Sequence, residues 1–153
     1  MRLSSSPRVS RDNSMQESAT LHNGKDSSVS AAYDILVVDD TTAMADILVM
    51  FLQLEGFTAR AVENGMKALE LLEDGMPRMA FIDLTMPVMD GLELARRIRS
   101  QETGRDIRLI ALTGWDDEAH RNEASDAGFD DYLVKPVSPA TLRESLARAS
   151  QEV

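Results

Sequence analysis

The stretch "AFIDLTMPVMDG", residues 80–91, decides how this chain reads. Ala80, Phe81 and Ile82 form an unbroken apolar run of the kind that fills a strand covered on both faces. Asp83 closes that run with a carboxylate. Met86-Pro87 then breaks the strand, and Asp90-Gly91 opens a helix with a capping residue. A buried strand that ends in a charge and passes through a turn into a helix is a βα unit. In open α/β sheets, ligands bind beyond the carboxyl ends of the strands, so Asp83 stands where chemistry is expected.

Working outward, the same alternation recurs on both sides. Upstream lie "DILVVDD" (34–40), the helical "TTAMADILVMFLQLEG" (41–56), a weak strand "FTARAV" (57–62) and a helix "NGMKALELLEDGM" (64–76). "RMAFIDL" (78–84) is the central strand and "DGLELARRIRSQ" (90–101) its helix. Downstream follow "RLIALTG" (108–114), a polar helix "DDEAHRNEASDAG" (116–128), "DYLVKP" (131–136) and a closing helix "SPATLRESLARAS" (138–150). Five strands alternating with five helices predict a doubly wound parallel sheet with helices on both faces. In the first helix Met44, Ile47, Leu48, Phe51 and Leu52 are read as the core stripe, with Ala43, Met50 and Leu54 spreading apolar character around the cylinder.

The chain divides near Ala31. Residues 1–32 are rich in Ser and poor in large apolar side chains. They read as a disordered tail, because such a segment buries too little surface to offset its ordering entropy. A faint likeness to a transit peptide is countered by Asp12, Glu17 and Asp26. Residues 33–150 read as one folded domain. Over the 153 residues, a net charge of −10 argues against nucleic-acid binding through a broad basic face. With no cysteine, disulfides and thiolate metal sites are excluded. No apolar run reaches the roughly 18 residues that a membrane span needs, and no secretion signal opens the chain, so a cytoplasmic location without membrane attachment is expected.

The strand ends carry a coherent set of groups. Asp39 and Asp40 end the first strand, Asp83 the third, Thr113 the fourth and Lys135 the fifth. A sheet wound in this order gathers them on one crevice. Clustered carboxylates repel one another, and a hard divalent cation such as Mg²⁺ removes that penalty with oxygen ligands. Lys135 adds a compact charge for a phosphoryl oxygen, and Thr113 adds a hydrogen bond. A carboxylate nucleophile, a metal and a cation suit aspartyl-phosphate chemistry.

Residues 34–150 resemble the receiver domain of two-component response regulators, through "VVDD", "FIDLTMPVMDG", "IALTG" and "YLVKP" in that order and spacing. The resemblance implies a flavodoxin-like (βα)5 fold with strand order 2-1-3-4-5. It implies that Asp83 is the phosphoacceptor and that a histidine kinase or a histidine phosphotransfer protein is the donor. It further implies that Asp39, Asp40, Asp83 and the main-chain carbonyl of Thr85 hold Mg²⁺, with Thr113 and Lys135 on the phosphoryl oxygens. Lys135–Pro136 is implied to be a cis peptide. Gly114 is the small residue that leaves the phosphoryl site open, and Thr85 and Trp115 occupy the positions that tune phosphoryl lifetime. Tyr132 matches the aromatic whose rotamer reports activation. It is expected to turn inward once phosphorylation draws Thr113 toward Asp83.

The chain ends just after the fifth helix. The expectation is therefore a stand-alone receiver without a DNA-binding output, a phosphoacceptor regulator rather than an enzyme, acting on a downstream protein target. "IALTGW" and "GFDDYLVKPVSPATL" are also similar to receivers of hybrid sensor kinases. Two alternatives stand beside this reading. One is a receiver-like interaction module that works without phosphate. The other is a Mg²⁺-dependent phosphatase of the haloacid dehalogenase type, which needs a second acid two residues beyond its nucleophile, where Thr85 stands.

Overall fold

The computed structural model describes residues 31–151. Five strands, β1 (Ile35–Val38), β2 (Ala59–Val62), β3 (Met79–Asp83), β4 (Arg108–Thr113) and β5 (Asp131–Val134), alternate with five helices. The helices are α1 (Thr42–Leu54), α2 (Gly65–Leu72), α3 (Gly91–Ser100), α4 (Glu118–Ala127) and α5 (Pro139–Gln151). A short 3₁₀ turn, Glu102–Arg105, which the sequence reading did not anticipate, follows α3. All strand pairs are parallel and the order is β2-β1-β3-β4-β5, as expected for the flavodoxin-like fold. No helix among the described residues is long and apolar enough to cross a membrane.

Alternation along the strands divides the core in two. Leu36, Val38, Ala80, Ile82, Leu109 and Ala111 pack with Ala68, Leu72, Leu94, Ile98, Ala124 and Ala127 of α2, α3 and α4. Ile35, Val37, Met79, Phe81, Ile110 and Leu112 pack with Ala45 and Leu52 of α1 and Leu142 and Leu146 of α5. Each fully buried Leu, Ile or Phe in these layers stabilises the fold by about 1.5–3 kcal/mol.

The helix starts follow from local chemistry. Asn64, Asp90 and Asp117 accept the main-chain N–H of Lys67, Glu93 and His120 at 2.8, 2.9 and 2.8 Å. Each such cap contributes about 1 kcal/mol. At the end of α4, Gly128 adopts φ +112°, and a Cβ there would lie 2.6 Å from Arg99 Cγ. Arg99 explains that crowding. Its guanidinium donates to the carbonyls of Gly128, Gly104 and Ile107 and to Asp130, tying α3 to the loops that lead into β4 and β5.

Two sequence readings change. In α1, Met44 and Ile47 are 47% and 60% exposed rather than in the core. Ala45 and Leu52 are buried, with Leu48, Val49 and Phe51 packed partly against them. The helix is apolar around most of its circumference, so periodicity alone could not say which stripe meets the sheet. At the domain start, Ala31 belongs with the fold: its N–H donates to Met76 O at 3.2 Å and its side chain packs on the core. Residues 1–30 of the assigned tail lie outside the described residues.

Candidate functional site

The parallel register sets the site. Val38 of β1 stands beside Ile82 of β3, Asp83 beside Leu112 of β4, and Thr113 beside Val134 of β5. The residues that end these strands therefore meet at one edge of the sheet, as the spacing predicted. Carboxylate oxygens of Asp39, Asp40 and Asp83 lie within 4.8 Å of one another. Asp39 and Asp83 are buried at 3% and 4% exposure, while Asp40 faces solvent.

Lys135 provides the countercharge, with its Nζ 3.3 Å from Asp83 Oδ1 and 3.6 Å from Asp39 Oδ2. The N–H groups of Thr85 and Thr41 donate to Asp83 Oδ1 at 3.2 Å and to Asp39 Oδ1 at 2.9 Å, which orients both carboxylates. Burial pushes the Asp83 carboxyl above the usual range. The Thr85 N–H and Lys135 pull it back, Asp39 pushes it up again, and the net direction is upward. Three oxygens of this kind make a hard-ligand set, and the residues present fit a divalent cation such as Mg²⁺.

The turn after β3 answers why a buried strand breaks here. Gly91 N–H donates to Leu84 O at 3.0 Å, and a Cβ at Gly91 would lie 2.5 Å from Asp83 O and 2.8 Å from Leu84 Cα. The first turn of α3 thus packs directly on the backbone that carries Asp83, and only glycine permits that approach.

Thr113 is 1% exposed and its Oγ1 accepts the N–H of Trp115 at 3.1 Å. Lys135 N–H donates to Thr113 O at 2.7 Å, and Lys135–Pro136 is cis, as implied by the motif. A Cβ at Gly114 would meet nothing within 4 Å. Trp115 is 56% exposed, and its indole stacks on the imidazole of His120. Tyr132 is half-buried, and its hydroxyl donates to Trp115 O at 2.5 Å. The side chain of Thr85 is exposed. Sequence reasoning passed over Asp116, Asp117, His120 and Arg121, which surround Trp115 and Tyr132. The signal was the acidic pair Asp116-Asp117 ahead of the helix, in a segment read only as a polar helix.

Comparison with known proteins agrees with this geometry. A family model of the response regulator receiver domain matches residues 35–147. An uncharacterised 14.6 kDa protein from the sodA1 3′ region of Leptolyngbya boryana is 43% identical over 73% of this chain and 86% of that protein. Response regulator MprA of Mycobacterium sp. (strain KMS) is 40% identical over 74% of this chain, which spans only 47% of that regulator's length. Among solved structures, the receiver domain of sensor histidine kinase PA1611 from Pseudomonas aeruginosa PAO1 superposes with a TM-score of 0.70 at 33% identity. That match covers 77% of this chain and 97% of the receiver, which was solved with magnesium coordinated in its active-site cleft.

Proposed function

The chain belongs to the response regulator receiver family, and on that premise we propose that it is the phosphoacceptor of a two-component or phosphorelay system, with Asp83 as the phosphorylated residue. Receiver domains accept phosphoryl groups from histidine kinases and act as signalling proteins rather than as turnover enzymes. The observation that carries the reading is the buried Asp83 carboxylate with Lys135 Nζ 3.3 Å away and two further carboxylates beside it. The activity is assigned to residues 33–150.

In this reading an Asp83 oxygen attacks the phosphorus of a phosphohistidine on the donor protein. The new O–P bond forms as the P–N bond breaks, and the imidazole leaves with the bonding pair and takes a proton from solvent. A carboxylate is already ionised at neutral pH, so no general base is needed. The work is positioning and electrostatics. The Thr85 N–H aims the carboxylate and Lys135 balances charge on the phosphoryl oxygens. The Thr113 hydroxyl exchanges its bond with Trp115 N–H for one to a phosphoryl oxygen. Asp39, Asp40 and Asp83, with the main-chain carbonyl of Thr85, would hold Mg²⁺, which supplies positive charge against the transferring group. The same groups would assist water in hydrolysing the acyl phosphate, which resets the protein.

The apolar face of α1 serves the partner. Met44, Ile47, Met50 and Leu54 are all exposed, Leu54 at 84%, and the helix begins beside Asp40. A donor or target that covers this face gains apolar burial next to the crevice.

The test is incubation of the purified chain with Mg²⁺ and acetyl phosphate. One acid-stable, base-labile phosphoryl group should appear on the wild type and none on Asp83→Asn. Equal labelling of the two proteins would place the acceptor elsewhere.

A further inference from the structure

The connection from β4 into the first turn of α4, "GWDDEAHR" (114–121), makes contacts beyond the Thr113–Trp115 bond that the phosphoryl chemistry uses. Trp115 is joined to Thr113 through its N–H and to Tyr132 through its carbonyl. Its indole lies 5.0 Å from the His120 ring at an interplanar angle of 5°. His120 Nδ1 in turn faces both Asp117 carboxylate oxygens, at 2.7 and 2.8 Å. The next residue of α4 completes the arrangement. The Arg121 guanidinium sits 4.7 Å above the centre of the Tyr132 ring. It is held there by Asp116 Oδ1, which accepts from Nη2 at 2.8 Å and from Nε at 3.2 Å.

One aromatic ring is therefore restrained on three sides. The loop carbonyl takes its hydroxyl, a paired cation covers its face, and the core packs against it. Every one of these contacts is made between groups of the chain itself, and none of them involves Asp83 or Lys135. A rotation of Tyr132 would have to break the hydroxyl bond and leave the guanidinium without its ring. A pull on Thr113 has to break only its bond with the Trp115 N–H.

We propose that Asp116, His120 and Arg121 are positioning residues that seat Trp115 and Tyr132 in advance, so that the surface shared by α4 and β5 is preset in this chain. Phosphorylation then acts on Thr113 and the loop backbone, and leaves the Tyr132 ring where it is. The second half of this inference rests on the receiver reading. The first half, the seating itself, does not.

The chain contains two tyrosines and one tryptophan, which makes the test direct. Aromatic NMR of tyrosine-labelled full-length protein, with Tyr132 identified by Tyr132→Phe, should show the ring signals of free Arg121→Gln displaced and broadened relative to wild type. Arg121→Lys keeps a cation and should restore them in part. His120→Ala should change Trp115 emission and move the Tyr132 signals as well. On adding Mg²⁺ and beryllofluoride, a phosphoryl mimic, wild-type Tyr132 should move severalfold less than Tyr132 in Arg121→Gln, while the amides of Thr113 and Trp115 shift in both. Unchanged ring signals in free Arg121→Gln would overturn the seating. A Tyr132 shift in wild type as large as in the variant would overturn the preset surface. Failure of acetyl phosphate to label Asp83 would count against the receiver chemistry alone, because the comparison of the free proteins does not depend on it.

Discussion

Lys135 Nζ lies 3.3 Å from Asp83 Oδ1, yet the lysine is partly open to solvent while the carboxylate is almost wholly buried. The lysine keeps much of its hydration and Asp83 does not. Burial and Asp39 therefore outweigh the attraction, and the Asp83 carboxyl is pushed up. The fold thus holds a proton on Asp83 more tightly than the unfolded chain does. Stability falls as pH rises from the ordinary carboxylate value near ~4 through the higher folded value, and the penalty is complete above it. Asp83→Asn should be more stable than wild type at pH 7 without metal, by about 1–2 kcal/mol, with the gain shrinking toward pH 4. Urea unfolding at the two pH values checks this. A less stable variant at pH 7 would mean that the Lys135 attraction dominates.

Divalent cation affinity should depend on Asp40. It is the exposed member of the triad and the first that an entering ion meets. Asp40→Ala removes one charged oxygen ligand and should weaken Mg²⁺ binding at least tenfold, or about 1.4 kcal/mol. Calorimetric titration, or Trp115 emission, measures it. Equal affinity in the variant would place the metal away from this triad.

Thr113→Ala should separate phosphorylation from response. The Trp115 N–H loses its acceptor, and no hydroxyl is left to reach a phosphoryl oxygen. Labelling of Asp83 by acetyl phosphate should persist within a few fold. The amide shifts that beryllofluoride induces over residues 113–117 should largely vanish. If those shifts survive intact, Thr113 does not couple the site to the loop.

Gly91→Ala should damage both fold and site. Its Cβ would meet the carbonyl oxygen of Asp83 and the Cα of Leu84, both backbone atoms with little freedom to move aside. Destabilisation of about 1–3 kcal/mol is expected from overpacking, along with slower labelling of Asp83. Thermal unfolding with a parallel acetyl phosphate time course tests the pair. Wild-type behaviour in both would show that α3 can shift without moving the acceptor.

Acid should loosen the join between β5 and α5. Burial would raise the Asp131 carboxyl. Arg148 at 2.6 Å, the Tyr132 N–H and Ser145 Oγ at 2.9 Å outweigh it, so the net direction is downward. A carboxyl depressed in the folded state contributes stability that is present above its ordinary value and is lost as pH falls through the folded one. Asp131→Asn should cost about 1–3 kcal/mol at neutral pH and progressively less as pH falls below the ordinary carboxylate value and the wild type takes up its proton. The difference between the two proteins in urea midpoints across that range is the measurement. A constant difference would rule out titration of Asp131 as its source.

The sequence by itself determined the order of elements, the parallel sheet and the identity of the polar set at its edge. The physical reason is that these signals are local. Apolar runs of strand length, the cap at Asp90, and a carboxylate, threonine or lysine at the ends of β1, β3, β4 and β5 can all be read without knowing what lies across the sheet. What tertiary structure alone decided depends on which surfaces meet. Met44 and Ile47 face solvent because the sheet lies against the other side of α1, a choice that a helix apolar around most of its circumference does not announce. Gly91 is bound to glycine by the backbone of Asp83, eight positions earlier, and Arg99 is committed to carbonyls in the loops that lead into β4 and β5. The charges after Trp115 look like a solvated run in sequence. Parallel pairing of β4 with β5 is what brings Tyr132 beneath Arg121, where Asp116, five residues before the arginine, holds the guanidinium over the ring.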